Sequence, residues 1–203
     1  MRKSLLFVWA CMGLVCLMSA CKTSVKSKEW KLVWVEDFDQ KNSFDESVWT
    51  KIPRGTSDWN NYMSYYDSCY AMQDGNLILR GIANHTQKND TAPYLTGGVY
   101  TKGKKLFTGG RVEVCARLQA AKGAWPAIWM LPEKAEWPKG GEIDIMERLN
   151  HDRIAYQTTH SYYTHILGIK DNPPHGGINK INPEEYNICL LYTSPSPRDY
   201  AAS

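Results

Sequence analysis

Hydrophobic and polar positions alternate along much of this chain with a period of two, and a helical period is sustained nowhere. The clearest run is Arg111-Val112-Glu113-Val114-Cys115-Ala116-Arg117-Leu118. Val112, Val114, Ala116 and Leu118 point one way, and Arg111, Glu113, Cys115 and Arg117 point the other. One core face and one more polar face is the pattern of a half-covered sheet. Similar runs, rich in β-branched and aromatic residues, predict strands over Lys31–Asp37, Tyr65–Met72, Asn76–Ile82, Gly98–Thr101, Gly109–Leu118, Ala124–Met130, Glu142–Met146 and Ile154–His160. Asp74-Gly75 predicts a tight turn between two of them. The Gly-, Pro- and Asn-rich stretch from Ile166 to Pro183 reads as a surface loop. Many short strands and no repeat predict an all-β, two-sheet sandwich or jelly roll.

The ends do not share this pattern. Arg2 and Lys3 precede an almost unbroken apolar run, Leu5 to Ala20, that closes on small residues. It is short for a membrane span, which needs roughly 20 apolar residues, so residues 1–20 read as an export signal. Met18-Ser19-Ala20-Cys21 resembles a bacterial lipoprotein signal, with Cys21 as the acylated residue and 21–28 as lipidated cysteine and polar tether. At the other end, Cys189 to Asp199 reads CLLYTSPSPRD. This string resembles the conceptual translation of a sequencing adapter. Native sequence is therefore expected to stop near Ile188, and 189–203 to form a tail without coherent packing or a strand past Thr193. The domain proper is 29–188.

Composition changes the picture in two ways. Setting aside Arg2, Lys3, Arg198 and Asp199 brings the 24 basic and 21 acidic residues almost into balance, so no basic face for nucleic acid is expected. Of the six cysteines, only Cys69 and Cys115 fall within the domain, and whether they pair is left open.

Candidate chemistry lies in Gly141-Glu142-Ile143-Asp144-Ile145-Met146-Glu147. Glu142 and Asp144 share a strand face, while Glu147 falls on the wrong one unless a β-bulge at Ile145 or Met146 absorbs a residue. With the bulge, three acids line one face. Such crowding and burial raise one carboxyl pKa, so that one group is protonated while another is ionised. Retaining glycosidases need this division, with the carboxyls about 5–5.5 Å apart. A solvated acidic strand edge is the plain alternative. Eight tryptophans favour the first reading. Trp125, Trp129 and Trp137 lie just upstream, Trp59 and Tyr62 lie in an Asn-rich segment, and sugars lay their C–H faces on such rings.

Gly141–Glu147 resembles the signature of glycoside hydrolase family 16 in its bulged, laminarinase-type form. Trp34-Val35-Glu36-Asp37-Phe38, Trp59-Asn60-Asn61, Asp74-Gly75-Asn76-Leu77, Gly110-Arg111-Val112-Glu113-Val114 and Trp125-Pro126-Ala127-Ile128-Trp129-Met130-Leu131-Pro132 follow in the family's order. The resemblance implies a β-jelly roll of the concanavalin A type whose concave sheet holds substrate. It implies retaining, endo-acting cleavage of β-1,3- or mixed-linkage β-1,3-1,4-glucan. Glu142 becomes the nucleophile, Glu147 the acid/base and Asp144 their assistant. Asn61, Arg111, Trp125, Trp129, Trp137 and His160 become substrate-binding residues. Lys180–Ile188 resembles the lead-in to a further family strand, after which the family's C-terminal strands are missing. No cofactor is expected. The family's structural calcium draws partly on that missing segment, so no metal is assigned. The expected partners are a β-glucan and, through Cys21, the membrane of a bacterial cell envelope, with the protein a monomer. Two rivals remain open: a silent β-glucan-binding protein, and a family 16 enzyme acting on another polysaccharide such as an agar-type galactan.

Overall fold

The computed structural model describes residues 30–40, 42–170 and 174–192. The signal, Cys21, the tether and residues 193–203 lie outside these. The chain divides into two units, 1–33 and 34–203. Of the first, the described residues 30–33 carry no regular structure; the rest of this description concerns the second.

Its elements are, in order, β1 (Thr50–Lys51), β2 (Tyr70–Gln73), β3 (Asn76–Leu79), β4 (Gly81–Ala83), β5 (Tyr94–Thr96), β6 (Val99–Tyr100), β7 (Arg111–Ala116), β8 (Ala127–Met130), β9 (Glu142–Glu147), β10 (Ile154–His160), the short helix α1 (Tyr162–His165), β11 (Gly176–Lys180) and β12 (Asn187–Tyr192). The fold is all-β. Antiparallel β11-β10-β9-β8 form the largest sheet, and β7 pairs with β12. The predicted turn closes β2 onto β3, with Asp74 at φ 52° and Gly75 at φ 69°, as a two-residue hairpin loop requires.

The core lies where the β7–β12 pair meets the large sheet. Ile145 and Met146 of β9, Ala155 of β10, Leu118 and Cys189 are buried together, with Val112, Ala116, Ile128, Met130 and Leu191 packed around them. The alternation read in β7 is thus realised, with Val112 and Ala116 turned inward. Non-directional burial at roughly 25 cal/mol per Å² holds the layers together.

Three expectations are corrected. No strand forms over Lys31–Asp37. From Trp34 onward side chains rather than a ladder hold this segment: Trp34 meets Phe107 with ring centroids 5.6 Å apart, and Glu36 accepts from Trp49 Nε1 at 2.8 Å. The stretch from Ile166 to Pro183 is not all loop, because β11 pairs with β10 from Lys180↔Ile154 to Gly176↔Thr158. All five β11 residues are exposed, so this strand is held by backbone pairing and left no alternation to read. Finally, Cys189 and Leu191 pack against the core. β12 runs in register along β7, with Cys189 opposite Val114 and Leu191 opposite Val112. Ile188 is 70% exposed while Cys189 is 8%, an in-out alternation that the pleat imposes on whatever sequence occupies it. Cys69, Cys115 and Cys189 are all free, so Cys69 and Cys115 do not pair.

Candidate active site

The bulge in β9 decides which side chains meet. Ala127 and Trp129 are two apart in β8 and share a face; their partners in β9 are Glu147 and Asp144. Glu147 and Asp144 therefore share a face as well, together with Glu142, two residues before Asp144. The register shifts between Ile128↔Met146 and Trp129↔Asp144, which makes Ile145 the extra residue. On the other side Tyr156 faces Glu147 and Thr158 faces Asp144, so Gln157 stands opposite two residues. Gln157 Nε2 donates to the Ile145 carbonyl at 3.0 Å, and Gln157 Oε1 accepts from Asn179 Nδ2 at 2.5 Å. The carbonyl that the bulge takes out of the ladder is thereby satisfied. Consecutive Ile145 and Met146 both go into the core. Gly141, at φ 80°, makes the turn into β9, a conformation open to glycine without steric cost.

Asp144 is the most enclosed of the three acids, at 3% exposure. Burial, then the charges of Glu147 and Glu142, then a hydrogen bond with Glu142 push its pKa up to about 7. His160 Nε2 lies 3.2 Å from Asp144 Oδ2, yet out of line, and that buried oxygen finds no hydrogen-bond partner among the described residues. A proton shared between Asp144 and Glu142 resolves the conflict, because it spares the site one of three crowded charges.

The flanking glutamates are each held by an indole. Trp137 Nε1 donates to Glu142 Oε2 at 2.5 Å, and Trp125 Nε1 donates to Glu147 Oε1 at 2.8 Å. Both rings remain about half exposed, Trp125 at 47% and Trp137 at 46%, and so offer a face to a sugar. Trp129 stands beside Asp144 in the ladder and meets Trp59 edge-on, 5.0 Å between centroids. Trp59 belongs to the loop that carries Asn61, whose Oδ1 is buried without a partner among the described residues. Arg54 steadies this loop: its Nε donates to the Met63 carbonyl at 2.9 Å, and its two terminal nitrogens grip Asp90 at 2.6 and 2.7 Å.

Glu142, Asp144, Glu147, Trp125, Trp129, Trp137 and His160 therefore converge, with Asn61 on the adjoining loop. Arg111 does not join them through any described contact. It sits exposed on the face of β7 opposite Val112 and Ala116, and its Nη2 pairs with Glu113 at 2.5 Å. Neighbours two apart on one strand face can pair in this way. Two residues escaped sequence reading. Gln157 became visible only with its register opposite the bulge. His165 lies 4.4 Å from Trp137, ring to ring, and its signal was the spacing of Ser161 and Thr164, which form a capping box on α1. Among the described residues no group of three or more His, Cys, Asp or Glu side chains is placed to hold a metal ion. The implied calcium is therefore assigned no ligands.

Two glutamates bracketing an aspartate on one face of a β-sandwich, each bonded to a tryptophan, define a site of the glycoside-hydrolase class. The comparisons agree. The model of the XgeA-like, catalytic GH16 domain matches residues 55–175, and the chain belongs to glycoside hydrolase family 16. It is 37% identical over 179 residues to a keratan-sulfate endo-1,4-beta-galactosidase of Sphingobacterium multivorum, covering 86% of this chain and 42% of that one. It is 34% identical over 163 residues to a beta-glucanase of Rhodothermus marinus, covering 75% and 56%. The solved laminarinase from Rhodothermus marinus superposes with a TM-score of 0.71 at 29% identity, covering 82% of this chain and 69% of that one. The chain thus spans about half the length of these curated relatives.

Proposed function

We propose that this chain forms the catalytic site of a retaining, endo-acting glycoside hydrolase that cuts β-1,3- or mixed-linkage β-1,3-1,4-glucan. The observation that carries the reading is the register of β9, which puts Glu142, Asp144 and Glu147 on one face beside Trp125, Trp129 and Trp137. Glu142 attacks the anomeric carbon as the glycosidic C–O bond breaks, and Glu147 gives its proton to the departing oxygen. The glycosyl ester on Glu142 is then hydrolysed: Glu147, now a carboxylate, takes a proton from water as the water oxygen bonds the anomeric carbon and Glu142 leaves. Asp144 holds the proton that moderates charge beside Glu142. Incubation with laminarin should release shortened oligosaccharides whose first NMR-visible reducing ends are β. An α-anomer appearing first would rule out retention.

A second reading concerns substrate. One relative, aligned over 86% of this chain, is named a keratan-sulfate endo-1,4-beta-galactosidase, and the site chemistry is the same for a β-galactan. Digestion of keratan sulfate and agarose in parallel with laminarin and lichenan separates the two. A silent binding protein is disfavoured by the presence of all three acids. It would be upheld by tight laminarin binding with no reducing ends released.

Export and anchoring belong to the same proposal. Arg2, Lys3, the apolar Leu5–Ala20 and Cys21 support an enzyme held at a bacterial envelope by acyl groups on Cys21. Cys21→Ser should move the protein from the membrane fraction to the soluble one. Unchanged fractionation would refute the anchor.

A further inference from the structure

The end of β10 touches β9 at two residues. His160, at the end of β10, lies opposite Glu142 and reaches Asp144. One residue later the chain turns into α1, which is fixed by a reciprocal cap. Thr164 N donates to Ser161 Oγ at 3.2 Å and Ser161 N donates to Thr164 Oγ1 at 3.1 Å. This cap directs His165 back over the site. Its ring meets Trp137 at 4.4 Å between centroids with planes 64° apart, and stands 6.3 Å from the His160 ring.

Among the described residues Trp137 makes no other ring contact. It sits in the connection before β9, is 46% exposed, and yet must present Nε1 to Glu142 Oε2. Any rotation of this half-exposed indole takes its N–H away from the carboxylate. A T-shaped ring contact of this kind is directional, not merely adhesive. We propose that His165 is a positioning residue for Glu142, acting through Trp137. The α1 turn sets His165, His165 sets the indole, and the indole orients the Glu142 carboxylate. The inference rests on the glycosidase reading for its kinetic consequence, but not for the contact itself.

The test uses the full chain and four variants: His165→Ala, His165→Phe, Trp137→Phe and the double variant His165→Ala with Trp137→Phe. Misplacing a reacting group by about 1 Å costs on the order of a hundredfold, and a loosened carboxylate less. His165→Ala is therefore expected to lower kcat on laminarin about tenfold with little change in KM. His165→Phe keeps a ring and should restore most of that loss. In the Trp137→Phe background, which has no indole N–H to hold, His165→Ala should cost nothing further. The indole Nε1–H resonance of Trp137 in ¹⁵N-labelled protein, assigned by its loss in Trp137→Phe, should shift upfield in His165→Ala and return in His165→Phe. An unmoved resonance, or losses that simply multiply in the double variant, would overturn the proposal. If the unaltered chain hydrolyses none of the glycans, the glycosidase reading fails separately, and the resonance still decides whether His165 holds the indole on Glu142.

Discussion

Glu142→Gln and Glu147→Gln are each expected to cut turnover of β-glucan by about a thousandfold or more while leaving the fold and substrate binding in place. Glutamine matches glutamate in size, and its carbonyl can still accept from Trp137 or Trp125, so packing at either position changes little. What is lost is chemical. An amide at position 142 is a poor nucleophile, and one at 147 has no proton to give; general acid-base assistance alone contributes about 10²–10⁴-fold. The two variants should differ on an aryl glycoside with a good leaving group. That group departs without protonation, so Glu147→Gln should recover its first step and Glu142→Gln should not. Near-normal turnover in either variant on polysaccharide would refute the assignment.

Asp144→Asn is expected to lower kcat by about ten- to a hundredfold and to alter the pH dependence of stability. The Asp144 pKa is raised to about 7 by burial and by the charges of Glu147 and Glu142. Between the ordinary carboxylate range and that value the folded protein holds a proton that the unfolded chain has released. Stability from this group is therefore complete at pH below about 4 and is lost as pH rises through about 7. The unaltered protein should lose melting temperature between about pH 4 and pH 7, and Asp144→Asn, which cannot ionise, should lose less. The two melting curves should converge toward acid pH and separate in favour of the asparagine variant above pH 7. A difference that does not vary with pH would show that Asp144 is already ionised in the folded protein. The same protonated Asp144 explains how three acids share one sheet face, since like charges side by side are destabilising.

How much of this was legible in the sequence depended on whether a side chain's burial reported its backbone. β10 was read with its observed limits, Ile154–His160, and the Asp74-Gly75 hairpin formed as its turn chemistry demands. The catalytic strand was legible down to its bulge, because five positions between Glu142 and Glu147 admit one face only if a residue is absorbed. Where burial and backbone part company, the reading failed. β11 is a wholly exposed edge strand, recognisable only by the carbonyls and N–H groups of β10 that it pairs with. The Trp34–Phe38 stretch has strand-like residues but spends them on ring contacts and on the Glu36–Trp49 bond, so it makes no ladder. Cys189 and Leu191, read as part of a tail without coherent packing, instead continue the ladder along β7 and reach the core.

The sequence by itself determined the class of fold, the three acids and the tryptophans beside them, since these depend on residue type and a period of two. Only the tertiary structure decided that Ile145 is the bulged residue, that Arg111 answers to Glu113, that each glutamate has its own indole, and that His165 closes on Trp137. Those are relations between residues on different strands and loops. Register and loop docking set them, through contacts that a chain written out in order does not display.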